Sequence, residues 1–437
     1  QQVVWIGDQR NGLTSDRSGN FFSYLPNGPS VNRVSRLRMH SINGSSVLAA
    51  LPGGYSSTGQ PLENPGALQL FENGQWRTEL HSIRDLTDYE ILGSSTFLSS
   101  FGDGMNKTEN AEVTTIDHTN SPLENVDPAG RAINITALQT SGNALWVANY
   151  GASKPLHVFN GNQWQSFTLC CAARYPTDMV VDYSGQVWTV ISPLQGGGVH
   201  VFDPEDGSFR YRTETAGNGG LPHQNVHSIA IDRDGNVWVG TDQGVAYFTS
   251  PETDAFKPVF ENKFLLRDEK ITAIEVDGGN RKWIGTERGV WLFNSTGEKL
   301  IENFTTENSP LLSGYIIDIA VDNRNGEVFF ATEKGIVSYR AGATAGEENF
   351  DNLKIFPNPV TANFTGTVGI SGLATDSIVK ITDVSGNLIW QTQANGGTAT
   401  WNVRDYNGRR AATGIYLVFA ASADGSDREV GKIAVVE

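Results

Sequence analysis

The chain alternates short apolar runs with tight turns along most of its length, and one pattern recurs. An Asp, a Gly-containing turn, an aromatic residue, a second Gly and a hydrophobic strand follow one another in DRDGNVWVGTDQGVAYF from Asp232 and DGGNRKWIGTERGVWLF from Asp277. A third copy starts at Asp322, and looser copies begin at Ser141 and Asp182. This alternation predicts short strands joined by turns, in which Gly supplies the positive φ angle.

The spacing of the copies predicts how the strands are assembled. Trp146, Trp188, Trp238 and Trp283 mark successive copies and lie 42, 50 and 45 residues apart. A period of about 40–50 residues is typical of one four-stranded propeller blade. A single blade cannot bury both of its faces, so we expect a closed ring in which each Trp packs against the neighbouring blade. Weaker copies of the repeat occur upstream of Ser141. With them, the count of repeats favours seven blades, and eight is the alternative.

Both ends of the repeat region are incomplete. The first segment, VVWIGDQRNGL from Val3, lacks the strand that should precede it, and the last, ending in IVSYRAG, lacks an outer strand. We therefore expect the N- and C-terminal strands to pair in one blade and close the ring. The alternative is that the N-terminal strands belong to a second propeller that is absent from this chain.

The composition changes after Arg340, where AGATAGEEN has no periodicity. This change predicts a propeller at 1–342, a linker at 343–351 and a second module at 352–437. The second module has short alternating strands separated by the turn signals VSGN, DYNG and ADGS. Such a pattern is typical of a small Ig-like β-sandwich, so the whole chain is predicted to be all-β.

Bulk composition agrees with this fold and narrows the range of partners. The chain of 437 residues has 48 Gly, 10 Trp, 12 Tyr and 21 Phe, which favour turns and strands over long helices. Its formal net charge of −16 argues against nucleic acid and against anionic lipid as general partners. No apolar run is long enough to predict a membrane-spanning helix. No signal peptide stands at Gln1, so we expect a mature or truncated product.

The sequence predicts no catalytic, cofactor or metal site. D-R-D-G-N from Asp232 begins like a calcium loop, but Gln243 stands where a bidentate Glu is needed. His223 and His227 are the one close histidine pair, and their spacing binds zinc on a helix rather than at the start of a strand. No P-loop, dinucleotide fingerprint or nucleophile elbow is present. We therefore expect a protein that is not an enzyme.

Cys170 and Cys171 are the two cysteines of the chain and are adjacent. Two thiols cannot provide a scaffold of bridges, so packing and hydrogen bonds must hold the fold. One interpretation is a vicinal disulfide that stiffens a loop in an oxidising compartment. The other is a pair of small, half-buried residues at the end of a strand.

Two segments resemble known families. GNGGLPHQNVHSIAIDRDGNVWVGTDQGVAYF, from Gly217, resembles the two-component-regulator propeller repeat. Residues 352–437 resemble the C-terminal sorting domain carried by cargo of the type IX secretion system of the Bacteroidota. The order and the terminal position of the matching residues carry this second resemblance, since each alone has a structural explanation. These residues are Pro357, Asn358, Pro359, Asp383, Gly386, Gly414, Ile415, Tyr416 and Lys432.

The two modules together resemble a family of surface components of the type IX machinery. The resemblance implies export through the periplasm to the cell surface, where the protein is associated with the outer membrane. It implies the sortase and shuttle proteins as partners, and presentation of bound proteins or anionic lipopolysaccharide to the sortase. Members carry two propellers, whereas this chain has repeats for one. The alternatives are a secreted propeller lyase or hydrolase, a glycan-binding cargo protein, or the sensor half of a two-component regulator.

Overall fold

A computed structural model describes residues 4–8, 12–15, 22–24, 27–31, 33–42, 44–127, 131–346, 350, 353–422, 425 and 428–436. Within these residues the chain is all-β, and its helical elements are two 3-10 turns at Cys170–Ala172 and Pro193–Gln195. None of the helices in this part of the chain has the length and apolarity to cross a membrane. The predicted starting residue Val3 and residues 347–349 and 351 of the predicted linker lie outside the described residues.

Seven groups of antiparallel strands form the blades of a propeller. Blades 1 and 2 consist of β4–β7 (Arg36–Ile42, Ser45–Leu51, Ala67–Glu72, Gln75–Leu80) and β8–β11 (Leu86–Leu92, Ser95–Gly102, Met105–Glu109, Glu112–Ile116). Blades 3 and 4 consist of β12–β15 (Ile133–Ser141, Ala144–Asn149, Leu156–Phe159, Trp164–Phe167) and β16–β19 (Pro176–Val181, Val187–Ile191, Val199–Phe202, Phe209–Arg212). The second and third blades are joined into one eight-stranded sheet by pairing of β9 with β12.

The remaining blades are less uniform. Blade 5 has the three strands β20–β22 (Val226–Ile231, Val237–Thr241, Gly244–Phe248), followed by the hairpin β23–β24 (Val259–Phe260, Lys263–Phe264). Blade 6 has β25–β28 (Ile271–Val276, Lys282–Thr286, Val290–Phe293, Leu300–Phe304). Blade 7 has the three strands β29–β31 (Ile316–Asp322, Glu327–Thr332, Gly335–Arg340).

The first strands of the seven blades form the inner wall of the ring. Each of β4, β8, β12, β16, β20, β25 and β29 lies against the next, and β29 returns to β4. A hydrogen bond joins the last blade to the first: the backbone N–H of Leu37 donates to the side-chain oxygen Oδ2 of Asp318 at 2.7 Å. The predicted seven-bladed ring is therefore confirmed.

The expected pairing of N- and C-terminal strands is wrong. The N-terminal strands β1–β3 (Trp5–Asp8, Gly12–Ser15, Phe22–Tyr24) pair with one another in a separate sheet. Among the described residues β31 pairs with β30 alone. The ring closes instead through contact between β29 and β4, so an added strand is not required to complete it. That β1–β3 belong to a second propeller stays a prediction.

The recurrent Asp and Trp of the repeat are joined by a hydrogen bond. In blade 5, Asp232 Oδ1 accepts the backbone N–H of Asn236 at 2.8 Å and fixes the turn between β20 and β21. Its Oδ2 accepts the indole N–H of Trp238 at 2.8 Å. The same indole bond joins Trp188 to Asp182 and Trp283 to Asp277. The bond orients each ring toward the next blade, as predicted, because each Trp packs in a cluster with residues of that blade.

A buried ion pair adds a second connection between blades 5 and 6. Lys282 is fully buried, and its Nζ lies 3.1 Å from Asp232 Oδ2 and 4.9 Å from the centre of the Trp238 ring. Although burial raises the pKa of Asp232, the ammonium group and the indole N–H lower it below its usual range. The carboxylate of Asp232 therefore binds the backbone of the turn, the indole of Trp238 and the ammonium group of Lys282 in the neighbouring blade.

The C-terminal module is a two-sheet sandwich, as predicted. One sheet contains β32 (Lys354–Phe356), β33 (Val368–Ser371) and β36 (Thr398–Trp401). The other has the order β35-β34-β37-β38, formed by Leu388–Gln393, Ile378–Asp383, Gly414–Ala421 and Arg428–Val435. A single apolar core that includes Val379, Trp401 and Val418 lies between the two sheets.

The sandwich packs directly on the propeller. The backbone N–H of Gly397 in the sandwich donates to O of Thr344 in the predicted linker at 2.9 Å, and the hydroxyls of Thr344 and Thr398 lie 2.8 Å apart. Gly396 has a φ of 60°, and a Cβ there would overlap the carbonyl oxygens of Thr344 and of Gly278 in blade 6. A close backbone approach that admits only glycine therefore holds the two modules together.

We predict that Asp232→Asn destabilises the propeller by about 3–5 kcal/mol, because the substitution leaves the charge of Lys282 buried without its partner. Urea unfolding followed by tryptophan fluorescence measures the loss. The double variant Asp232→Asn/Lys282→Met should recover part of it, since no unpaired charge then remains. Equal stability of the single and double variants would show that the two side chains are not coupled.

Candidate functional site

The central channel of the propeller is lined by a recurring irregularity of the inner strands. In six blades the inner strand has a β-bulge, at its second residue in five of them and at the fourth residue of β12, whereas β4 has none. A bulge re-aims side chains, and all six bulged residues line a channel of about 550 Å³. These residues are Thr87, Thr136, Thr177, His227, Thr272 and Ile317.

Two arginines of blade 1 form ion pairs within the channel. Arg36 donates to Asp88 of blade 2 at 2.8 Å and to Asp178 of blade 4 at 2.6 Å. Arg38 contacts both oxygens of Asp88, at 2.6 and 2.8 Å. Although burial raises the pKa of Asp88, the charges of Arg38 and Arg36 lower it to about 2. Since blade 4 lies across the ring from blade 1, Arg36 spans the channel and links its opposite walls.

Three further carboxyl groups face the channel without a matching cation. Burial and the charge of Asp318 raise the pKa of Glu275 to about 8. Burial also raises the pKa of Glu90 to about 7 and that of Asp318 to about 6. The channel thus has more carboxyl groups than guanidinium groups and retains protons near neutral pH.

One end of the channel is bordered by the long connection between β5 and β6. Asp85 is fully buried and accepts the backbone N–H groups of Glu63 and Asn64 at 3.0 and 2.8 Å, which anchors the connection. Tyr55, which lines the channel, stacks on Phe101 with ring centres 4.6 Å apart. Tyr150 packs on Phe101 and also stacks on Tyr175 of blade 4. We call these four rings (Tyr55, Phe101, Tyr150, Tyr175) the aromatic ladder.

The histidine pair of the sequence lies beside the channel on a shared carboxylate. His227 Nε2 is 2.6 Å from Asp242 Oδ1, and His223 Nδ1 is 3.7 Å from Asp242 Oδ2. Although burial raises the pKa of Asp242, hydrogen bonds from Asn225 and His227 lower it below its usual range. Among the described residues, no three His, Cys, Asp or Glu side chains form a group that could hold a metal ion.

The residues of the predicted sorting motif meet at one edge of the sandwich. Asn358 donates to Lys432 O at 2.8 Å and accepts the backbone N–H of Ala434 at 3.1 Å, so it ties the motif to β38. Pro357 and Pro359 flank it, each in a cis peptide bond. Asp383 faces Tyr416 across the β34–β37 ladder.

The other motif residues have structural roles at the same edge. Asp383 caps the hairpin by accepting the N–H groups of Ser385 and Asn387, and Gly386 occupies its tip with a φ of 86°. Gly414 begins β37. The hydroxyl of Tyr416 donates to Ala412 O at 2.8 Å, and its ring packs on Trp401 in the core.

A shallow surface groove lies where the motif segments converge. Its apolar lining is open to solvent, because Val384 is 69% exposed and Ile415 is 47% exposed. Lys432 is the one charged residue of this lining. The full lining is Asn358, Val384, Ile415, Leu417, Lys432, Ile433 and Ala434. Sequence reasoning had identified Asn358, Ile415 and Lys432 but not the other apolar residues of the lining.

The sequence analysis did not identify the charged residues of the channel. Arg36, Arg38, Asp178, Glu275 and Asp318 interrupt strands that otherwise alternate between apolar and small residues. A charge inside an inner-strand segment was the available signal. It indicates a side chain directed toward a polar channel rather than into an apolar core.

Family models match both modules. Residues 220–243 match the two component regulator propeller, and residues 354–435 match the secretion system C-terminal sorting domain. No curated protein sequence matches the chain. Among solved structures, PorZ of Porphyromonas gingivalis covers 98% of the chain with a TM-score of 0.69 and 23% identity. The chain has the fold of PorZ.

PorZ is described as an essential bacterial surface component of the type-IX secretion system. The chain spans 63% of the length of PorZ. The extracellular domain of a proposed hybrid two-component system from B. thetaiotaomicron has a TM-score of 0.52 at 12% identity, covering 100% of this chain and 59% of that one. Virginiamycin B lyase from Staphylococcus aureus also has a TM-score of 0.52, at 10% identity, covering 71% and 96% of the two chains. The fold alone thus occurs in a secretion component, a sensor and an enzyme.

We predict that the channel carboxyls make the propeller less stable as the pH rises. The folded chain holds the proton of Glu275 up to about pH 8, whereas the unfolded chain releases it near pH 4–5. The folded state therefore binds more protons between these values, and its stability falls from about pH 5 to about pH 8. Glu275→Gln should reduce this fall. At about pH 8.5 we expect its free energy of unfolding to be about 1–3 kcal/mol higher than that of the wild type.

Calorimetric melting at about pH 5.5 and about pH 8.5 measures this difference. Glu307→Gln provides the control, because Glu307 is an exposed residue outside the channel. The same change of melting temperature with pH in the wild type and in Glu275→Gln would show that Glu275 does not retain its proton.

Proposed function

We propose that this protein is a non-enzymatic component of the type IX secretion machinery at the outer-membrane surface. It binds partner proteins, with the sortase and shuttle proteins of the attachment complex as the expected partners. It presents bound proteins or anionic lipopolysaccharide to the sortase. The sandwich serves as the export signal and as a docking module.

The observation that carries the proposal is the combination of the two modules in one packed chain. The sorting-domain match covers nearly the whole sandwich, and the correspondence to PorZ extends over the propeller and the sandwich together. The joint at Gly278, Thr344 and Gly396 sets the sandwich against blade 6. This packing favours a sandwich that acts as part of the folded protein rather than as a loose tail.

Charge distribution supports the sandwich as the contact surface. Residues 352–437 contain seven basic and seven acidic residues, so the net charge of −16 belongs to the rest of the chain. An anionic lipopolysaccharide is repelled less by the sandwich than by the rest of the chain, which carries the net negative charge. The groove around Lys432 also offers exposed apolar side chains, which are typical of the centre of a protein–protein contact.

A secreted propeller enzyme is the second candidate, favoured by one observation. His227 is directed into the channel region and is held by Asp242 at 2.6 Å, an arrangement that can orient an imidazole as a general base. Virginiamycin B lyase shows that this fold supports catalysis. In that case the sandwich would serve export alone, and no stable complex with the secretion machinery would form.

We predict that Ile415→Asp lowers the recovery of sortase and shuttle proteins at least tenfold, because a charge in the centre of an apolar contact disfavours binding. The tagged full-length chain is isolated from cell envelopes, and the bound proteins and glycans are quantified by mass spectrometry. Val430→Asp is the matched control, since Val430 is 50% exposed on the neighbouring strand and does not line the groove. Equal recovery with Ile415→Asp and with wild type would contradict the groove as the docking site.

A further inference from the structure

The adjacent cysteines lie in one tight turn between blades 3 and 4. The turn is the 3-10 segment Cys170–Ala172, which connects β15 to β16. Both cysteines are free, and their sulfur atoms lie 2.7 Å apart. The two side chains therefore point to the same side of the turn, and joining them requires no large movement of the backbone.

The backbone of the turn is held in an uncommon conformation. Cys171 has φ 60° and ψ 24°, the left-handed region that residues other than glycine rarely adopt. The turn is fixed on both sides, because the N–H of Ala173 donates to Cys170 O at 3.1 Å and the side chains of Leu169 and Ala173 are buried. The fold thus imposes a local strain that brings the two sulfur atoms together.

The two thiols differ in access. Cys171 is exposed, whereas Cys170 is partly buried, with its Sγ 3.7 Å from Nδ1 of the buried His200. Burial and the neighbouring Cys171 raise the pKa of Cys170 to about 12. Cys171 is therefore the thiol that an external reagent reaches first, and Cys170 is placed to react second.

We propose that Cys170 and Cys171 form a reversible vicinal disulfide, so that this turn is a site of redox modification. The thiolate of Cys171 attacks a disulfide R–S–S–R and releases one R–S⁻. The sulfur of Cys170 then attacks the mixed disulfide, forms the Cys170–Cys171 bond and releases the second R–SH. The two cysteine sulfurs lose two electrons, and both thiol protons leave with the products. The R–S⁻ released in the first step takes the proton of Cys170 before the second step.

The bond should be easy to reduce. Adjacent Cα atoms are about 3.8 Å apart, which is shorter than the usual spacing of about 4.4–6.8 Å in disulfides. A strained disulfide has a higher reduction potential and exchanges readily with thiols. In the cell the reaction requires an oxidising compartment, so its occurrence there depends on the exported location in the proposed function. The ability of the two cysteines to form the bond does not depend on that location.

The turn is coupled to the aromatic ladder at the end of the channel. Arg174, three residues after Cys171, bonds through its backbone to Gly151 and to the side chain of Gln195, both at 2.6 Å. The next residue, Tyr175, stacks on Tyr150 with ring centres 4.7 Å apart. A closed ring at Cys170–Cys171 would restrict this segment and hold Tyr175 in the ladder.

The test uses the purified full-length chain in glutathione buffers that range from reduced to oxidised. Thiols are trapped with iodoacetamide, and the intact mass and the peptide containing both cysteines are measured. We expect two alkylated cysteines at the reduced end. At the oxidised end we expect none, with a mass about 2 Da lower than that of the reduced chain, since the ring forms by loss of two hydrogen atoms. We expect amide exchange at residues 169–175 to slow at least threefold on oxidation.

Cys171→Ser is the control, because it cannot form the ring and should show no redox-dependent exchange in this segment. Two alkylated thiols at the oxidised end, a persistent glutathione adduct on Cys171 or a disulfide-linked dimer would each overturn the proposal. These results do not depend on where the protein resides. If the proposed secretion function is wrong, the outcome of this test does not change. If the disulfide does not form, the proposed secretion function is not affected.

Discussion

Blades 4, 5 and 6 depend on one recurring interaction, in which the Asp that follows the inner strand holds the turn and the indole of the repeat Trp. With one oxygen it fixes the turn, and with the other it orients a large ring toward the next blade, as Asp232 does for Trp238. Because the ring then packs in the core shared with that blade, local turn geometry becomes a contact between blades. Repetition of this unit in three successive blades links blades 4 to 7 through one type of contact.

Closure of the ring brings the first strands of all blades around a narrow channel, and the charges there follow from that geometry. A bulge in six inner strands directs polar side chains inward, while blade 1 supplies the two arginines. Arg36 and Arg38 neutralise Asp88, and Arg36 extends to Asp178 across the channel. Among the described residues, the remaining carboxyls form no ion pair, and burial raises their pKa so that they retain protons near neutral pH. The net charge of −16 lies outside the sandwich, whose balanced surface therefore repels an anionic ligand less than the rest of the chain does.

The sequence predicted those features that repeat or that resemble a known domain. The spacing of Trp146, Trp188, Trp238 and Trp283 predicted the blades, and the ordered motif from Pro357 to Lys432 predicted the sandwich. Closure of the ring was predicted wrongly, because the contact between β29 and β4 leaves no signal in either strand. The pairing of Arg36 with Asp178 was equally hidden, since the two residues lie three blades apart and meet only once the ring is closed. The groove beside Lys432 was found in part, because its apolar lining comes from separate strands.

The central claim is that the protein acts in secretion rather than being secreted as cargo. The most direct measurement is the export of other proteins with a type IX sorting domain in a strain that lacks this gene, compared with the same strain complemented by the full-length chain. The account predicts that these proteins are no longer exported and that complementation restores their export. Normal export in the deletion strain, with this chain released into the medium, would contradict the account and favour a secreted enzyme or a glycan-binding cargo protein.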